Sequence, residues 1–295
     1  MKDILERFLF DKAPVRGELV QLDATYKEVL ARHQYPLVLQ RIIGELMAAS
    51  ALLSAMLKFD GTLIMQMHGT GAVQLIVVEF TSDRTMRATA RWDNDKIQTF
   101  GPGTSLAELL GRGRFMITLD PTVGEAYQGV VGMERGQSVA QIIEHYMSAS
   151  EQLETRLWLA CSDHHAENKI AAGMMLQKMP AEPDETQSYE HLVTLAETVK
   201  AEELLELTSR EVLYRLFHED SVRVFDPSTP RFACSCSRHR VAGMIKLMER
   251  DEVDEVLAER GNVHIVCDFC GKEYEFDAVD IGALYAGSVE GGSVQ

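Results

Sequence analysis

Apolar residues in this chain follow two spacings, and the spacing changes along its length. Val15–Asp23, VRGELVQLD, alternates apolar and polar side chains as a half-buried strand does. ATYKEVLARH follows as a short helix. From Pro36 to about Lys58 the period lengthens. Leu39, Ile42, Ile43, Leu46, Leu53, Met56 and Leu57 recur at helical intervals. Proline fits the first turn, because the N–H it lacks has no helical partner there. At about 1.5 Å per residue, such a helix runs roughly 35 Å and crosses a whole domain.

Gly61–Thr70, Ala72–Ser82 and Thr85–Asp93 return to strand-like composition, separated by Gly or Ser-Asp turns. RFMITLDP and AYQGVVGM predict two more strands. Ser138–Leu153 predicts a helix capped by Ser138, with Ile142, Ile143, Tyr146 and Met147 on one face. TRLWLACS and KIAAGMMLQKMP predict further strands. Strands in meander order, with helices packed on one face, make an α+β domain over residues 1–180.

Pro180–Ser188, PAEPDETQS, breaks the composition with prolines and acids. The next segment is helical in period. Tyr189, Leu192, Val193 and Ala196 form one apolar stripe; Leu204, Leu205, Val212, Leu213, Leu216 and Phe217 form another. An amphipathic segment of this kind lies on another surface rather than making its own core. Residues 181–230 therefore read as a helical linker, closed by DPSTP, and 231–295 as a small C-terminal domain. The intervening stretch VAGMIKLMERDEVDEVLAERG predicts one or two helices, and the tail AGSVEGGSVQ is expected to be disordered.

Charge narrows the choice of partner. The formal net charge is −16. Residues 181–230 carry twelve Asp or Glu against four Lys or Arg, a net of −8. Residues 231–295 carry twelve against seven, a net of −5. Both have the wrong sign for a phosphate backbone, so no nucleic-acid partner is expected. The N-terminus has no secretory pattern, and the longest apolar stretch, Leu46–Leu57, is shorter than the roughly twenty residues of a membrane span. A cytoplasmic protein with no membrane partner is expected.

Four of the five cysteines stand in two clips, Cys234-x-Cys236 and Cys267-x-x-Cys270. In a chain without an export signal, such spacing points to thiols or metal rather than structural disulfides. Four soft ligands from two turns suit one tetrahedral Zn²⁺. His239 and His264 stand near enough in sequence to replace a cysteine, but four thiols make them unnecessary. A module this small needs such a staple. Zinc-bound thiolates are also the form that oxidants attack, and each cysteine has a neighbour two or three residues away. The clips thus fit a purely structural zinc or a reversible switch. Arg231, Arg238, His239 and Arg240 surround the first clip and are candidates for stabilising its thiolates.

VRGELV, KFDG, YQGVVG, SEQLETR, EELL, EVLYRLFHE, CSCSR and CDFCG, in this order, resemble segments of the redox-regulated 33 kDa chaperonins, bacterial heat-shock holdases. The resemblance covers nearly the whole chain. It implies that Cys234, Cys236, Cys267 and Cys270 bind one zinc in an inactive reduced state. It implies that oxidants such as hypochlorous acid, or peroxide with heat, form Cys234–Cys236 and Cys267–Cys270 disulfides. The zinc would leave, the C-terminal domain and linker would unfold, and a homodimer would hold unfolding client proteins without ATP. No Gly-x-x-x-x-Gly-Lys phosphate loop is present, in keeping with that. Cys161 lies outside the pattern and reads as a buried or half-buried free thiol. Met65, Met67, Met174, Met175 and Met179 read as core residues or as an adaptable binding surface.

Two other functions compete. One is a constitutive zinc-ribbon binding module with a structural metal. The other is an enzyme using SDHH (Ser162–His165), which has reactive residue types but no spacing that matches a mechanism; no catalytic residue is expected.

Overall fold

The computed structural model of the protein describes residues 3–56, 60–101, 103–162, 168–180 and 186–286. The chain divides into two compact units, Met1–Ala233 and Cys234–Gln295.

The first unit is built on two sheets. One contains β1 (Ile4–Phe10), β2 (Val15–Leu22), β8 (Thr155–Cys161), β9 (Ala171–Lys178) and β10 (Val222–Val224), in the order β10-β1-β2-β9-β8. The other contains β3 (Gly61–Gly69), β4 (Val73–Thr81), β5 (Thr85–Trp92), β6 (Gly113–Pro121), β7 (Tyr127–Gly132) and β11 (Arg231–Phe232), in the order β11-β5-β4-β3-β6-β7. Around them run α1 (Ala24–Leu30), α2 (Leu37–Met56), α3 (Asn94–Ile97), α4 (Leu106–Leu110) and α5 (Val139–Ala149).

Helix α2 packs against β1, β2, β8 and β9 of one sheet and β3, β4 and β5 of the other. Leu39, Ile43, Leu46 and Met47 on it are fully buried. Burying each such side chain contributes about 1.5–3 kcal/mol. Residues Leu37–Ser54 are long and apolar enough to cross a membrane by composition, but 72% of that stretch is buried inside the protein. The two sheets supply the apolar surroundings that a lipid would. The expected single meander with helices on one face is thus replaced by a helix between two sheets. The reason is nonlocal: β2 pairs with β9, far along the chain. Met65, Met67, Met174 and Met175 are all fully buried, which assigns them to the core.

The predicted linker helices appear as α6 (Thr186–Ala196), α7 (Ala201–Glu206) and α8 (Ser209–Phe217). Their apolar stripes cover the outer face of the five-stranded sheet. Tyr189, Leu192, Leu204, Val212, Leu213 and Phe217 close over Phe8, Phe10, Leu19, Met174 and Leu176. Strand β9 is buried on both faces for this reason, which explains its unbroken apolar run AAGMML. Among the described residues the polar fastenings are few. Gln21 Nε2 donates to the carbonyls of Leu204 and Leu207, each at 2.7 Å, and Arg156 pairs with Glu197 at 3.1 Å. Thr208 caps α8 in a box with Glu211.

After α8 the chain becomes a strap. Strand β10 pairs with β1, Phe225 N–H donates to the Arg7 carbonyl, and Ser228 exchanges backbone hydrogen bonds with Leu5 at 2.8 Å. Thr25 Oγ1 donates to the Pro230 carbonyl. Strand β11 then lies parallel to β5, and Ala233 N–H donates to the Met86 carbonyl. One segment therefore supplies the terminal strand of both sheets. Strands of three and two residues are too short to leave a periodic trace in the sequence, although Val222, Val224 and Phe232 pack against the core.

The second unit holds α9 (Arg238–Ile245), α10 (Arg250–Arg260), the hairpin strands β12 (Val263–Val266) and β13 (Glu273–Phe276), and α11 (Ala278–Ala286). The stretch between the clips thus forms two helices, as read. Its core is small: Val241, Ile245, Val253, Val263, Tyr274, Phe276 and Ile281 are its large buried side chains. Parts of four sequence expectations lie outside the described residues: Leu57 on the long helix, residues 163–165 of SDHH, 181–185 of the linker, and the tail from 287.

Candidate metal centre

The two cysteine clips come from different local structures. Cys234 and Cys236 flank Ser235 on an extended stretch that ends where Ser237 caps α9 by accepting from the Arg240 N–H. Arg240 also donates to Ser235 Oγ at 2.7 Å, which holds the backbone between the two cysteines. Cys267 and Cys270 occupy the turn of the β12–β13 hairpin. Cys267 N–H donates to the Lys272 carbonyl and Gly271 N–H to the Cys267 carbonyl. Gly271 takes φ +71°, a left-handed backbone that glycine adopts without strain, so the turn can bring both sulfurs to one side.

The four sulfurs meet. Cys234 Sγ lies 3.7 Å from Cys267 Sγ, and Cys236 Sγ 3.4 Å from Cys270 Sγ. All four fall within 4.8 Å of one another. Sulfurs at about 2.3 Å from a tetrahedral Zn²⁺ stand roughly 3.8 Å apart, so the cluster has the size that ion requires. The donor set is all sulfur, which favours zinc or another thiophilic metal over calcium or magnesium. The site can hold a metal ion; the four residues are those read from the sequence.

Electrostatics fit a shared cation. Burial raises the thiols of Cys236, Cys267 and Cys270. At Cys236 the Tyr274 hydroxyl, which donates to its sulfur at 3.1 Å, and the neighbouring thiols outweigh burial and bring it down to about 7. At Cys270 burial and the neighbouring sulfurs together push it up to about 12. One proton leaves readily, and the next must leave against the charge already formed. A bound cation removes that opposition. Tyr274 is the residue sequence reasoning missed. Its place in the ladder opposite Ile265 brings it beneath the first clip, and only the hairpin register could have shown that.

The neighbouring basic residues do other work. Arg238 donates to the Glu275 carbonyl and to Asp280, each at 2.6 Å, and stacks 4.2 Å over the Phe276 ring. It clasps α9 to β13 and α11, so its expected role beside the thiolates is not what this geometry provides. His264 faces Glu273 at 3.3 Å, and neither it nor His239 joins the metal-competent group. Cys161 lies apart, its Sγ 3.2 Å from the Tyr26 hydroxyl, with burial pushing its pKa up to about 11. That is an inert thiol. Ser162, the described part of SDHH, accepts the Ile170 N–H through its Oγ at 2.9 Å.

A two-sheet α+β body followed by a four-cysteine module defines a class: proteins that carry a four-thiol cluster able to hold a metal ion in a small C-terminal unit. A model of the Hsp33 protein family matches residues 3–277. The 33 kDa chaperonin of Chromobacterium violaceum is 49% identical over 96% of this chain and 94% of its own length. That of Shewanella oneidensis is 47% identical over 97% and 96%. The chain belongs to the Hsp33 family. The solved structure of the 33 kDa chaperonin of Thermotoga maritima has the same fold, with a TM-score of 0.81 over 97% of this chain and 99% of that one at 20% identity.

Proposed function

We propose that this protein is a redox-switched, ATP-independent holdase. The observation that carries the proposal is the convergence of Cys234, Cys236, Cys267 and Cys270 within 4.8 Å in a unit whose apolar core is small. In the reduced state these four residues hold one Zn²⁺. When bound, the ion supplies the bonds that tie the two clips together and keeps the sulfurs as thiolates, worth about 10–16 kcal/mol of folding in small zinc modules.

Oxidation joins Cys234 to Cys236 and Cys267 to Cys270. Each pair gives up two electrons and, with peroxide as oxidant, the oxygens leave as water. Sulfurs spent in disulfides no longer serve as ligands, so the unit loses its staple and unfolds. The linker, residues 181–230, loosens with it and uncovers Phe8, Phe10, Leu19, Met174 and Leu176 for unfolding client proteins. The linker's twelve acids against four bases keep its released form in solution. Free thiols of this kind require a reducing compartment, the cytoplasm. The oxidised form is a homodimer.

The test follows zinc and activity together. Reduced protein is assayed for bound zinc, then for zinc release and suppression of thermal aggregation of an unrelated protein during peroxide treatment. About one zinc per chain should leave as activity appears, and dithiothreitol with zinc should restore the start. Zinc that stays bound, or leaves without a gain in activity, would establish the structural-zinc alternative instead.

A further inference from the structure

The strap, residues 221–233, is the outermost strand of both sheets and runs directly into Cys234. On one side it accepts from the amides of Leu5 and Asp11, through the carbonyls of Ser228 and Ser221, and donates to the carbonyls of Leu5 and Arg7. On the other it donates from Arg231 and Ala233 to the carbonyls of Arg84 and Met86. These are backbone contacts, indifferent to side-chain identity. Beneath them β1 and β5 are otherwise complete strands, each paired on its inner side to β2 or β4. Remove the strap, and each sheet ends in an open edge with unpaired N–H and C=O groups, a template for any extended chain.

We propose that the β1 and β5 edges are client-docking sites, and that their occupant is an extended segment of an unfolding protein added as a strand. The strap shows that both edges accept short strands, antiparallel on β1 and parallel on β5. An unfolded chain offers the same backbone groups whatever its sequence, which suits a surface with many partners. The apolar outer face of the five-stranded sheet begins at the same strand, with Phe8 and Phe10 on β1. A client strand on β1 therefore lays alternate side chains beside that face. This docking rests on the release of residues 181–230 proposed above and extends it to 231–233, which cover β5.

Amide hydrogen exchange on the full-length chain tests it, in three states: reduced, oxidised, and oxidised with a thermally unfolding client. In the reduced state the Leu5 and Asp11 amides and residues 221–233 should be protected. Oxidation should expose all of them. Client should restore protection at Leu5 and Asp11, by at least tenfold in exchange rate, while 221–233 stays exposed. A strap that remains protected in an oxidised protein with full holdase activity overturns the inference and leaves the redox switch intact. Edge amides that stay exposed with client bound overturn it too. Protection that returns without client, and grows with protein concentration, would identify a second copy as the occupant instead. Absence of holdase activity on oxidation would sink the switch itself, a separate result.

Discussion

At Gly17 a single hydrogen decides how two aromatic rings sit. A Cβ there would stand 2.1 Å from the Phe8 ring, directly opposite in the β1–β2 ladder. Gly17→Ala must push Phe8 toward Phe217 on the linker, and overpacking of this kind costs about 1–3 kcal/mol. The variant should melt earlier, and its linker amides should exchange faster in the reduced state. Its neighbour Glu18 is fully buried with neither carboxylate oxygen hydrogen-bonded among the described residues, in a cavity of about 230 Å³ lined also by Arg7, Arg84 and Asp226. Burial, opposed by Arg7 and Arg16, raises its pKa from 4.5 to about 8. The raised folded value means that neutral Glu18 favours the folded state below pH 4.5. That advantage is lost as pH rises toward 8. Glu18→Gln should therefore gain stability relative to the parent as pH rises, in urea unfolding between about pH 5 and 9. Glu45, raised by burial to about 7, leaves a residual slope. The four cysteines were legible because their chemistry fixes their spacing. Arg238 was misread because sequence proximity to the clip says nothing about Asp280 and Phe276, which hold it.

Among elements, the linker helices are where stability and activity oppose one another. Phe217, at the end of α8, meets Phe10 edge-on at 5.0 Å and is 1% exposed. Phe217→Ala should cost about 3–5 kcal/mol, most of it in the docking of α8. The proposed switch then predicts holdase activity without oxidation, measured as aggregation suppression in dithiothreitol with zinc still bound. A loosened linker in an inactive reduced protein would separate linker release from client binding. Thr208→Ala removes the α8 capping box and should act the same way more weakly, by about 1 kcal/mol. Helix α2 and the linker stripes could be read from periodicity, because each spans enough residues to show its period, and the strands from β3 to β5 from their composition and the turns between them. Strand β1, with Glu6 and Arg7 interrupting its alternation, could not. Nor could β10 and β11, whose identity lies entirely in the partner they meet.

The whole molecule divides its sources of stability. The first unit has an extensive core around α2, whereas the second rests on a small cluster and its four sulfurs. A strong chelator under reducing conditions should accordingly unfold Cys234 onward while the amides of β3, β4 and β6 keep their protection. Hydrogen exchange read by peptide distinguishes this from uniform unfolding. The clustering of cysteines pointed to a C-terminal domain from residue 231, whereas the second compact unit starts at Cys234 and residues up to Ala233 belong to the first; the assembly of the first unit left no such mark. Its five-stranded sheet joins β1 and β2 to β8, β9 and β10 across the intervening strands β3 to β7, and no local pattern records such pairing.

That discontinuity sets a timetable for synthesis. Strands β3 to β7 are contiguous and can pair as soon as they leave the ribosome, but β2 must wait for residues 171–178 before its outer edge is filled. At about 5–20 residues per second that edge stands open for roughly eight to thirty seconds, the kind of exposure that invites aggregation. During its own translation the nascent chain is thus in the position of the proteins it is proposed to rescue.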